Sequence, residues 1–137
     1  MKLITIAFPG VVCVFSTVAF AQSSIRSADD TYLIDSYSAF IGERDLHNSS
    51  GERLTQPWQI IRQDRANYHR FGRRDSLDQT DSFFHSASNR AILEMMLRRG
   101  KISPQAAREI LSGSTFVLVE IYGRGNRGEY VTVTTSR

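Results

Sequence analysis

Thr115 to Tyr122 reads TFVLVEIY, a run of β-branched and aromatic residues that is apolar on both faces. Such side chains suit a pleated surface, so the run predicts a central β-strand. The segment Gly123 to Gly128 (GRGNRG) follows, and then Val131 and Val133 alternate with Thr132 and Thr134 over Glu129 to Thr135. Alternation with one polar face predicts an edge strand, and the glycine-spaced turn joins the two as a hairpin. A lone hairpin is marginal in water and must lay its apolar face on a further layer. The rest of the chain has to supply that layer.

Leu33 to Ile41 alternates as a strand with Tyr37, Ala39 and Ile41 on one face. Asp45 to Gly51 collects Asn48, Ser49, Ser50 and Gly51 and predicts a turn. Thr55 followed by Pro57 reads as a cap and a first-turn proline, starting a helix that runs to Phe71 and stops at Gly72. Gly72 to Thr80 is a polar loop. A second helix is expected from Asp81, as its cap, to Arg99, with Gly100 as its stop. Arg90, Glu94 and Arg98 stand four apart on it as one charged stripe, while Phe84, Ala91, Ile92, Met95 and Met96 crowd the other side. Ser103-Pro104 starts a short third helix to Leu111, closed by Gly113. A strand, a helical block and a hairpin give an α+β fold: a small antiparallel sheet of about three strands, in the order β-ααα-ββ, with helices packed on one face.

Residues 1–21 read as a signal peptide, with Lys2, an uncharged apolar run and Ala19-Phe20-Ala21 as the cleavage site. Residues 22–30 are polar and read as a flexible mature N-terminus, leaving 31–137 as one domain. The expected product is exported, periplasmic or secreted, with no permanent membrane span after cleavage. The only cysteine, Cys13, lies in the leader, so the 116 residues that follow have no thiol, disulfide or cysteine metal site and depend on an apolar core.

Charge is segregated. Residues 22–61 carry three basic and six acidic side chains, whereas 62–108 carry ten basic and five acidic ones. A basic middle attracts anionic partners such as phosphates or lipopolysaccharide. Export argues against nucleic acid as the partner, although Asn89 to Leu111 resembles two helices about a glycine turn; helical hairpins of this form are common packing units.

Trp58 to Phe71 (WQIIRQDRANYHRF) is the segment densest in chemistry. At 100° per residue, Asp64 and Arg65 fall inside the apolar arc that runs from Ile60 and Phe71 through Tyr68 and Ile61 to Trp58. A carboxylate on a core-facing stripe needs a partner, a raised pKa or a cleft mouth. Asp64 is therefore either a buried acceptor tying the helix to its neighbours or a general acid/base assisted by His69, Tyr68 or His85. His85 stands four residues after Asp81 and is placed to meet it. His47, His69 and His85 lack the spacing of a helical metal pair, so no metal is expected. No Gly-x-Ser-x-Gly, Walker loop or dinucleotide fingerprint occurs, and GRGNRG precedes a strand where a phosphate cradle needs a helix, so no cofactor is expected.

Arg62, Arg65, Arg70, Arg73 and Arg74, interleaved with Tyr68 and Phe71, are the candidate ligand-binding residues, unless Asp64, Asp75, Asp78 and Asp81 neutralise them. Without a catalytic motif, the sequence points to a non-enzymatic binding module for a protein or an anionic envelope component. The alternative is a small envelope or extracellular hydrolase with Asp64 as acid/base.

Overall fold

The alternating segments form the expected sheet, with one addition. A computed structural model describes residues 30–136; the expected signal peptide and all but the last residue of the polar stretch 22–30 lie outside the described residues. Strands β1 (Tyr32–Ile41), β3 (Thr115–Arg124) and β4 (Arg127–Ser136) pair antiparallel, β3 lying between the other two. The addition is β2, only Lys101–Ile102, which runs parallel to β4 on its outer side at Thr132 and Val133. The sheet is therefore mixed and four-stranded, in the order β1-β3-β4-β2. Its fourth strand is too short to carry a periodic signal. Gly100 permits it, since a Cβ there would sit 1.6 Å from the Val131 carbonyl oxygen. β4 is thus covered along part of the edge that its wet face had suggested was open.

One face of the sheet is sealed. Tyr37, Ala39, Ile41, Val117, Val119, Ile121, Val131 and Val133 are buried there with Ile60, Ile61, Phe84, Leu93, Met96 and Ile110 from the helical layer. The opposite face is open, with Leu118 at 41% exposure. β3 is therefore central by its neighbours, not by cover on both faces.

Helix α1 (Pro57–His69) opens with Pro57 in its first turn, as its sequence implies. Its cap is Gln56 rather than Thr55: the Gln59 side-chain oxygen accepts the backbone N–H of both Thr55 and Gln56, holding Thr55 outside the helix. The helix ends at His69, two residues short of Phe71. There Phe71 N–H donates to Ala66 and Arg73 N–H to Asn67 across Gly72, whose φ of +64° closes the chain back on the last turn.

The expected helix over 81–99 is two short ones, α2 (Ala87–Ala91) and α3 (Leu93–Arg99), broken at Ile92. Asp81 does cap, but it caps a turn through Phe84 N–H, and Ser86 starts α2. Arg90 accounts for the separation of that turn from α2. Its guanidinium turns back and donates to the carbonyls of Phe84 and His85, which are thereby removed from a helical ladder. The charged stripe accordingly shrinks to Glu94–Arg98 at 2.9 Å, and Met95, expected in the core, is 38% exposed. The last helix, α4 (Pro104–Ser112), starts as the sequence implies, with Ser103 Oγ accepting Ala106 N–H.

The polar loop after α1 protects the outer edge of β1. Gln79 donates its N–H to the Ser38 carbonyl and accepts Ser38 N–H on its side chain, while Asp78 accepts Phe40 N–H. An unpaired strand edge is an aggregation template, and these bonds occupy it. They also bring Asp81 over α1. Among the described residues no helix is long and apolar enough to cross a membrane.

Candidate functional site

The two faces of α1 hold the two groups of candidate residues. On the inner face, Arg65 is fully buried. Its Nε donates to Asp64 Oδ2 at 2.7 Å, and its Nη1 donates to Asp81 Oδ2 and to the Gln79 carbonyl, both at 3.0 Å. The guanidinium plane lies 3.9 Å from the ring centre of Tyr37 and 4.7 Å from that of Tyr68. Asp81 Oδ2 also accepts from His69 Nε2 at 2.8 Å. Two carboxylates, one guanidinium and one imidazole therefore form a single network whose four side chains are each at most 5% exposed.

Burial raises Asp64 to about 7 although Arg65 opposes the shift. Burial likewise pushes the Tyr37 phenol well above its ordinary range. Among the described residues, Tyr37 OH and Arg65 Nη2 are buried with no hydrogen-bond partner. A second buried link lies further round α1: Asn67 Nδ2 donates to Asp45 Oδ1 at 2.8 Å, and Gly42 N–H donates to Asp45 Oδ2 at 2.9 Å. It ties α1 to the single 3-10 turn Glu43–Leu46, and burial holds Asp45 above the usual carboxylate range in spite of both bonds.

The candidate acid/base residues are thus partly assembled. Asp64 and Tyr68 both reach Arg65, and His69 joins them through Asp81. His85 does not meet Asp81, its neighbour four residues back, because the capped turn carries it away; its ring packs edge-on against His69 with centroids 5.4 Å apart. Among the described residues no group of three or more His, Cys, Asp or Glu is arranged to hold a metal ion.

The outer face of α1 is different. A cleft of about 290 Å³ runs between α1 and the 48–54 loop, and Trp58, Arg62, Arg70 and Phe71 line it. It shares Asn48, Ser49, Gln63 and Phe71 with a second cleft of about 400 Å³, where Arg73, Arg44 and His47 stand. Neither is lined by Asp64, His69, Asp81 or His85. The five arginines therefore divide. Arg65 is sealed in the network, and Arg74 is held on Tyr68, 4.9 Å from its ring centre. Arg62, Arg70 and Arg73 line the clefts, and among the described residues their guanidiniums make no hydrogen bond or ion pair.

The acids that the sequence offers as their partners are engaged elsewhere. Asp64 and Asp81 hold Arg65, Asp75 lies 3.7 Å from Arg44, and Asp78 accepts backbone N–H groups. Phe71 instead carries Arg70 and Arg73 near its ring, at 5.1 and 5.9 Å. Trp58 and Gln63, which sequence reasoning did not assign to a site, also line the first cleft; Trp58 stands four residues before Arg62 on α1, and that spacing was the available signal. No protein-family model, curated protein or solved structure matches this chain.

Proposed function

We propose that this chain is a non-enzymatic binding module, exported to the periplasm or beyond the cell, that takes an anionic envelope component or an acidic protein surface in the cleft on the outer face of α1. The observation that supports this reading is the trio Arg62, Arg70 and Arg73, which line two clefts with a shared wall and no carboxylate in the lining of either. An exposed guanidinium without a partner keeps its donors for a ligand, and three in a row make a positive field that such a ligand follows. Retention of the purified protein on envelope fractions at low salt tests it. The protein is expected to be retained, to elute as salt rises, and to lose retention in the variant Arg62→Gln/Arg70→Gln/Arg73→Gln. No retention of the parent by any fraction overturns the reading.

The hydrolase reading has one observation in its favour, the Asp64 carboxyl at about 7, where a general acid/base works best. Weighing against it, Asp64 is 2% exposed and shares Oδ2 with Arg65, so no substrate proton reaches it without opening the core. The network instead acts as the bolt between α1 and the 79–84 turn. An Asp64→Asn protein that folds normally yet loses a measured turnover would reverse this choice.

A further inference from the structure

We infer that the occupant of the α1 cleft is an acidic oligosaccharide, a chain of sugar rings bearing carboxylate or phosphate groups; this rests on the binding-module reading. Three features of the cleft narrow the ligand beyond its charge. The first is the pairing of donors with acceptors. Gln59 uses its side-chain oxygen to cap α1 and keeps Nε2 as a donor, whereas Gln63 gives Nε2 to Asn67 and keeps its oxygen as an acceptor. Ser49 adds a hydroxyl on the facing loop. A phosphate or carboxylate alone can use only donors. A sugar hydroxyl both donates and accepts, so it satisfies all three.

The second feature is Trp58, a half-buried aromatic on the same wall. Aromatic side chains bring a large apolar face to a pocket otherwise set by a few polar groups, and the C–H face of a sugar ring fits that face. The third is length. Arg62 on α1 and Arg70 at its C-cap are eight residues apart, which is about 12 Å along the axis between their backbone positions. The first cleft is at the small end of ligand sites, and it shares the Phe71 wall with the second, where Arg73 stands. That span suits acidic groups carried on successive rings better than a single ring.

Trp58 is the only tryptophan of the chain, so its emission reports the cleft directly. The purified protein is titrated with oligogalacturonate, with its methyl-esterified neutral counterpart, with an oligosaccharide phosphorylated on its rings, and with poly-glutamate and oligothymidylate of matched charge. Saturable shifts of Trp58 emission by the acidic sugars are expected, with affinity at least tenfold above that for the neutral one and no comparable shift from the other two polymers. The carboxylated and phosphorylated arms show which acid is preferred. Arg62→Gln/Arg70→Gln is expected to weaken acidic-sugar binding at least tenfold with an unchanged circular dichroism spectrum. Equal binding of poly-glutamate or oligothymidylate, or of the neutral sugar, overturns the inference while retention on envelope fractions leaves the binding-module reading standing. No response to any probe overturns the inference as well, and if envelope retention is also absent both readings fall together.

Discussion

Arg65 and Arg62 lie three positions apart on α1 and have opposite fates. Arg65 points inward, is fully buried, and meets two carboxylates, a carbonyl and two aromatic rings. Arg62, like Arg70, is exposed, lines the cleft, and makes no ion pair or hydrogen bond among the described residues. Burial accounts for the difference. A charge removed from water needs opposite charge beside it, so the inner face of α1 gathers Asp64 and Asp81 about Arg65, with His69 on Asp81. A charge left in water needs no internal partner and remains available to a ligand. The inner face is structure, and the outer face is the one on which the proposed binding rests.

The largest expected effect comes from breaking the inner face. Arg65→Met leaves Asp64 and Asp81 buried without their cation, and removal of one partner from a buried ion network costs about 3–5 kcal/mol. A domain of this size has about 5–15 kcal/mol in total, so the variant should be marginal or unfolded at 37 °C. Arg62→Met should shift stability by less than about 0.5 kcal/mol, as surface changes do. Urea unfolding of the two side by side reads the contrast, and similar losses for both would dissolve the distinction drawn here.

The second effect sharpens the inner face through pH. The carboxyl of Asp64 titrates at about 7 when folded, against an ordinary value of 3.8, because burial disfavours its charge. The folded state therefore holds this proton more tightly than the unfolded one. Its contribution to stability is complete below pH 4 and is lost as the pH rises toward 7. Asp64→Asn fixes the neutral form and removes that slope, a swing on the order of 3 kcal/mol between pH 4 and 7. Asp45 is raised in the same direction and Asp35 lowered in the other, so the measurement is the difference between variant and parent. Parallel stability curves would mean that Arg65 keeps Asp64 ionised throughout.

Much of this contrast was legible before the fold. Helical periodicity alone placed Asp64 and Arg65 among the core residues of α1, and a buried carboxylate needs a partner or a raised pKa; Asp64 has both. What periodicity could not supply was the third member. Asp81 is 16 residues from Arg65, and it arrives only because Gln79 and Asp78 pin the loop to the edge of β1. Non-local pairing of this kind leaves no local spacing to read. The same limit hid β2, whose two residues are placed by the close approach of Gly100 to Val131. It also hid the break before α2, where the long Arg90 side chain competes with the helix for the Phe84 and His85 carbonyls. The arginine-rich segment was visible as a group, but its division into sealed and available members depended on which acids the loop had already taken.

The smallest effect concerns the outer face and has an unusual sign. Arg90 is lowered from the ordinary arginine range first by burial and then by the positive charges of Arg70 and Arg62, with Asp81 in opposition. The outer Arg70 and Arg62 therefore repel the buried guanidinium of Arg90 on α2. Arg70→Gln removes the larger of the two repulsions, and Arg73 still faces the Phe71 ring after the change. A gain of a few tenths of a kcal/mol is expected at low ionic strength, roughly 1–2 °C in Tm for a domain of this size. The gain should fade as salt approaches 1 M, where charges are screened within about 3 Å. Thermal unfolding of parent and variant over a salt series measures it. A variant less stable than the parent at low salt, or a difference insensitive to salt, would place Arg70 in the internal structure of the domain and remove it from the ligand-facing set.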